Sequence, residues 1–200
     1  MVSDSPTPIS GKQTDGRDRI LDTAESLFRD RGYTAVTMRD IAKAVGMRQA
    51  SLYYHFPSKE ELFVSVRERM FERHQVGLEN ALGRAGEELR SQLLAVVDWF
   101  LYQPPIKFHS MMQVDMPSLS EEAKERLSQA VRRSIFEPIG KPLIAAQANH
   151  QIRDVQPQLL VGFLLSLLES TSHVYSSEST AYKKEILNEL IRVLLEGIQI

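Results

Sequence analysis

Apolar residues recur along this chain at three- and four-residue intervals, and almost nowhere in strict alternation. That spacing is helical, so the pattern predicts an all-α protein with no internal repeat. Ile20, Leu21, Ala24, Leu27 and Phe28 share one face, which predicts a first helix over about Gly16 to Arg31, with Gly32 placed for a left-handed C-terminal cap. Thr37 and Asp40 form the pattern of a capping box before a short helix whose inner face is Met38, Ile41, Ala42 and Val45, ended by Gly46. A third helix is expected over roughly Arg48 to His55, stopped by Pro57. Ser58 and Glu61 then open a long helix running towards Leu82.

Beyond Gly83 and Gly86 the helical spacing resumes. Helices are expected over about Glu87 to Tyr102, stopped by Pro104 and Pro105, and over Ile106 to Val114. Ser118 and Glu121 should cap another, which bends or breaks at Pro138 and Pro142 and resumes to about Asn149. The last two run from Pro157 to about Tyr175 and from Thr180 to about Ile198. The penultimate helix is apolar around nearly its whole circumference, so it must be buried on more than one side. The last one carries two stripes, Tyr182/Ile186/Leu190/Val193 and Leu187/Ile191/Leu194/Ile198. Pairing of these helices with a second copy would bury both faces; a larger monomer core would do the same.

Composition narrows the choice. The 200 residues carry a net charge of −2, which alone does not suggest nucleic acid. The charges are uneven, however: from Lys12 to Glu60 nine basic residues face seven acidic ones, so the acidic excess lies elsewhere. The absence of cysteine excludes disulfides and thiolate metal sites and fits a cytoplasmic location. The polar, Pro/Ser-rich start has no apolar core of a signal peptide, and residues 1–15 read as a disordered tail. The longest apolar run, Leu159 to Leu168, is too short to span a bilayer.

Two short helices joined by a tight turn, preceded by a third, make a helix-turn-helix, whose second helix enters the DNA major groove. An ordinary helical bundle would show the same periodicity. In the third helix Leu52 and Phe56 are four apart and should face inward. Gln49 can read adenine and Arg48 guanine; Ser51, Tyr53, Tyr54 and His55 suit phosphate oxygens. Lys59 and the free N–H groups opening the long helix would add a phosphate site.

The stretch "TMRDIAKAVGMRQASLYYHFPSKEELF" resembles the DNA-binding head of the TetR family of transcriptional regulators. The resemblance rests on Thr37, Ile41-Ala42, Gly46, Ser51-Leu52-Tyr53-Tyr54-His55-Phe56 and Lys59-Glu60-Glu61-Leu62, and reaches from about Arg17 to Phe63. It implies phosphate contacts from Thr37, Ser51, Tyr53, Tyr54, His55 and Lys59, and base reading by Arg39, Arg48 and Gln49. Arg48 departs from the family pattern, which has Ser or Thr there as N-cap. The implied organisation is a head over 16–60 and a helical effector-binding and dimerisation domain over 61–200. The implied partners are a double-stranded DNA operator, a second copy held through the last two helices, and a small effector. The implied role is a repressor released by an apolar or amphipathic molecule; an activator, or a regulator whose effector is not a small molecule, is the alternative. No cofactor and no membrane association is implied.

For the effector the residues themselves speak through the stretch Val97 to Leu119. Trp99, Tyr102, Phe108, His109, Met112, Gln113 and Met116 combine large apolar groups with a few polar tips, as a cavity wall does. Plain core packing would use the same residues. Catalysis finds no support: the five histidines are scattered without metal-ligand spacing, and there is neither a glycine-rich phosphate loop nor a nucleophile elbow.

Overall fold

The structure is a computed structural model and describes residues 11–199, with side chains from residue 16 onward. Among these residues there is no sheet, only an isolated bridge between Ile152 and Gln199. Ten α-helices follow one another: α1 (Gly11–Ala35), α2 (Met38–Val45), α3 (Gln49–His55), α4 (Lys59–Arg84), α5 (Leu89–Leu101), α6 (Phe108–Ser110), α7 (Glu121–Val131), α8 (Glu137–Ala148), α9 (Pro157–Val174) and α10 (Thr180–Ile198). The expected tail lies partly outside the described residues, at 1–10; residues 11–15 already belong to α1.

Chain contacts divide the protein into two units. The first holds the described residues up to Arg69 together with Gln113–Leu127; the second holds Met70–Met112 and Ser128–Ile200. The first unit is built on the predicted faces. Ile20, Leu21, Ala24 and Phe28 of α1, Met38, Ile41, Ala42 and Val45 of α2, Leu52 and Phe56 at α3, and Leu62 and Phe63 of α4 are all buried. Gly32 interrupts α1 at φ 77° and ψ 167°, so its φ is positive as a cap requires but its ψ is extended. The chain therefore breaks at Gly32, and Tyr33 to Ala35 form a separate turn.

In the second unit α5 packs against α10, α8 and α9. Leu93, Val96 and Val97 of α5, Ile139 and Leu143 of α8, Leu160, Leu164 and Leu168 of α9, and Leu187, Ile191 and Leu195 of α10 are buried. Two expectations need correction. Of the two outcomes expected at Pro138 and Pro142, a bend or a break, the break does not occur: a π-helical turn, Arg132–Phe136, joins α7 to α8 without a gap, and Pro142 lies inside α8. A proline ring clashes with the carbonyl four residues before it, here that of Ser134, and a wider π turn ahead of Pro138 accommodates the ring. The cap of α7 is Ser120, whose Oγ accepts from the Ala123 N–H at 3.3 Å, because Ser118 ends a 3-10 turn, Met116–Ser118, instead.

Candidate nucleic-acid interface

The geometry of the second and third helices follows from their ends. Thr37 Oγ1 accepts from the Asp40 N–H at 3.2 Å, and Asp40 Oδ2 accepts from the Thr37 N–H at 3.0 Å, so the capping box is complete. The Thr37 hydroxyl also donates to Asp40 Oδ2 at 2.6 Å. These bonds, the hydroxyl's first, hold the Asp40 carboxyl below the usual carboxylate range. At the other end Gly46 takes the left-handed conformation, φ 77° and ψ 36°, which only glycine adopts without steric cost. Its N–H and that of Met47 both turn back to the Ala42 carbonyl, Met47 at 2.9 Å, which closes the helix. Arg19 of α1 reaches across to donate to the Val45 carbonyl at 3.2 Å.

α3 is thereby presented with one face buried and one face free. Leu52 and Phe56 are 0% and 1% exposed, and Arg17 lies 5.0 Å over the Phe56 ring. Arg48, Gln49, Ala50, Ser51, Tyr53 and Tyr54 are exposed, Tyr54 to 78%; His55 is half-buried, edge-on to Tyr54 at 5.6 Å. Arg39 is exposed on α2. Arg48 stands at the N-cap of α3 with no side-chain capping bond, as its residue type predicts, and is left to reach outward. Of the residues expected to meet DNA, two are occupied within the protein. Thr37 is engaged with Asp40. Lys59 Nζ donates to the Tyr33 carbonyl at 3.0 Å and lies 4.1 Å over the Tyr33 ring, and partial burial lowers its affinity for its proton. The opening of α4 is capped by Ser58, whose Oγ accepts from the Glu61 N–H at 3.0 Å.

Periodicity did not reveal what braces this face. Arg69 pairs with Asp22 at 2.6 Å and Glu25 at 3.4 Å, tying α4 to α1. Arg126 of α7 pairs with Glu61 at 2.7 Å and Glu68 at 2.9 Å. Buried Asp115 accepts from the Tyr33 N–H at 3.1 Å and faces Arg67 at 3.4 Å. None of these partners shares a local motif, so only the fold brings them together.

The residues proposed for the effector are distributed over both units. Gln113, exposed, and Met116, buried, fall in the first. In the second, Trp99 and Phe108 are half-buried, while Tyr102, His109 and Met112 are exposed. The Trp99 Nε1–H donates to Nδ1 of buried His74 at 3.1 Å, and Phe100 stacks on His74 at 5.3 Å. The His109 N–H donates to Glu169 at 3.1 Å. A cleft of about 610 Å³ in the second unit lies elsewhere, between the end of α4, the start of α5 and α8. Its lining mixes Glu79, Glu87 and Lys141 with Leu82, Leu89 and Pro142, and includes none of the proposed effector residues. Among the described residues no group of His, Asp and Glu gathers to hold a metal ion, and no helix is long and apolar enough to cross a membrane.

Residues 20–66 match the family model of bacterial regulatory proteins, tetR family. A segment of 55 residues is 44% identical to the biofilm operon icaADBC HTH-type negative transcriptional regulator IcaR of Staphylococcus epidermidis. That match covers 28% of this chain and 30% of the relative's length. Likeness to solved structures extends much further. The TetR family transcriptional regulator PfmR from Thermus thermophilus is 26% identical, with TM-score 0.69, over 90% of this chain and 98% of its own. The transcriptional regulator FadR from Bacillus subtilis, in complex with stearoyl-CoA, shares the fold at TM-score 0.73 and 14% identity, over 91% and 99%. Residues 20–66 thus resemble the DNA-binding region of the tetR family, and the all-helical fold beyond them is shared with solved regulators of that family.

Proposed function

We propose that the protein is a transcriptional repressor that binds a roughly palindromic operator as a homodimer and leaves it when a small amphipathic molecule binds. One observation carries the DNA reading: the face of α3 bearing Arg48, Gln49, Ser51, Tyr53 and Tyr54 is free, while Leu52 and Phe56 hold the helix rigidly from behind. In this reading Gln49, Arg48 and Arg39 read base edges, and Ser51, Tyr53, Tyr54, His55, Thr37 and Lys59 meet phosphates. Thr37 and Lys59 would then reach phosphate while keeping their internal partners.

An apolar stripe supports the dimer. On α9, Leu159 and Phe163 are 66% and 49% exposed in the protomer, and on α10 Tyr182 and Val193 are exposed too. These belong to the stripes that the protomer's own core does not use, and a symmetry-related copy would cover them. The repressor sense is that of the IcaR relative. The stearoyl-CoA bound by FadR supports an effector with a long apolar part. We assign it to the segment from Trp99 to Met112 in the second unit, in preference to the cleft between α4, α5 and α8. α4 runs unbroken in the chain from one unit into the other, and we assign it the coupling.

The test uses fluorescence anisotropy of a labelled duplex. Binding should fall steeply as salt rises, because phosphate contacts release counterions. A long-chain acyl compound that releases the duplex should change Trp99 emission over the same concentration range. No binding at low salt sinks the DNA reading. Binding that no acyl compound reverses removes the effector assignment alone.

A further inference from the structure

The end of α1 presents a problem that the segment after α6 solves. At Gly32 the chain leaves the helix with φ 77° and ψ 167°, which turns the Tyr33 N–H out of the regular helical ladder. Asp115 Oδ1 accepts this N–H at 3.1 Å. Asp115 is 3% exposed and comes from a π-helical turn, Met111–Asp115, running straight into a 3-10 turn. Such turns are uncommon and are frequent at functional sites. Its other oxygen faces Arg67, itself 9% exposed and lying 5.0 Å over the Phe63 ring. The opposite side of Tyr33 is held too. Lys59 donates to its carbonyl and lies over its ring, and the ring packs on Phe63 at 4.7 Å and Phe28 at 6.1 Å.

One residue thus has its N–H fixed by Asp115 and its carbonyl fixed by Lys59. We infer that Asp115 is a positioning residue for DNA binding: through Tyr33 it sets where the Lys59 ammonium stands at the start of α4. The inference rests on the DNA-binding reading above. A carboxylate serves better than a neutral group, because a charged acceptor bonds the N–H more strongly and also balances the buried guanidinium.

The test separates positioning from plain support of the core. The probe is a labelled duplex recovered from a random-sequence library by the wild-type protein. Removing Asp115 alone would leave a buried guanidinium short of its carboxylate, so the informative variant is Asp115→Leu combined with Arg67→Met. It should bind roughly tenfold more weakly, the loss expected for a bond to a charged group. Its salt dependence should also flatten by about 0.9 in log–log slope per head, the signature of one lost phosphate contact. Lys59→Ala should do the same, and adding it to the double variant should cost little more, because both act on one contact. Asp115→Asn, which keeps an acceptor for the Tyr33 N–H, should retain most of the slope. If the double variant fails to fold, Asp115→Ser combined with Arg67→Gln, whose serine hydroxyl is too short to reach Tyr33 and whose amide leaves no unbalanced buried charge, carries the same comparison. Losses that add to that of Lys59→Ala, or an unchanged salt slope, overturn the inference and leave the DNA reading standing. A wild-type protein that recovers no duplex overturns both.

Discussion

The indole of Trp99 lies directly against the backbone of Gly77: a β-carbon on that glycine would come within 2.0 Å of the ring. Gly77 sits in the interior of α4, where alanine would by itself favour the helix. The clash outweighs this, because the indole is rigid and its Nε1–H is held by His74 at 3.1 Å. Gly77→Ala should therefore destabilise the protein by about 1–3 kcal/mol, the range for overpacked cores. Trp99 emission should shift as its bond to His74 breaks. Denaturant unfolding followed by fluorescence checks this; a variant as stable as wild type with unchanged emission would show that the ring is free to move.

The apolar stripe on α9 and α10 predicts a variant that uncouples assembly from folding. Phe163 is half-exposed in the protomer, so Phe163→Glu should leave the helical fold of the protomer, read by circular dichroism, nearly unchanged. In a dimer the same carboxylate would be buried without a partner, which should weaken association by roughly a hundredfold or more. Sedimentation velocity should find this variant monomeric at concentrations where wild type is dimeric. A wild-type monomer, or a variant that still pairs, places the interface elsewhere.

The Thr37–Asp40 box predicts a pH dependence. Its bonds lower the Asp40 carboxyl in the folded state relative to the unfolded chain. A carboxyl shifted this way contributes stability that is present above its unfolded value and is lost as pH falls through its folded value. The stability gap between wild type and Asp40→Asn should thus be full at neutral pH and close below about pH 4, the ordinary carboxylate range. Melting temperatures at pH 7 and pH 3 measure the gap; one that stays constant would mean that the charge of Asp40 contributes nothing to the cap.

How much of this was legible beforehand depends on range. The capping box at Thr37, the turn at Gly46 and the inward pair Leu52 and Phe56 are local patterns, in which the residues that decide the structure are neighbours in sequence. The head was therefore readable nearly residue by residue. The cap of α7 was misread because Ser118 and Ser120 offer similar chemistry, and only the 3-10 turn between Met116 and Ser118 selects Ser120. Whether Pro138 and Pro142 bend or break the helix stays open in the sequence, because sequence does not reveal the π turn that keeps it continuous. Asp115 went unnoticed as part of the head, since its partners Tyr33 and Arg67 lie 82 and 48 residues away. The effector segment was legible only as a composition: composition offers large apolar side chains but not the cavity they would line.

If the protein is the repressor proposed, paired heads read an inverted repeat through α3. Selection from a random duplex library, run side by side with wild type and Gln49→Ala, tests it most directly. Wild type should enrich two inverted half-sites about one helical turn apart, roughly 10 base pairs between centres. Gln49→Ala should keep the spacing and lose preference at one position in each half-site, where glutamine contributed about 1–3 kcal/mol of discrimination. Enrichment of no motif, of a motif without two-fold symmetry, or of an identical motif by both proteins would contradict it.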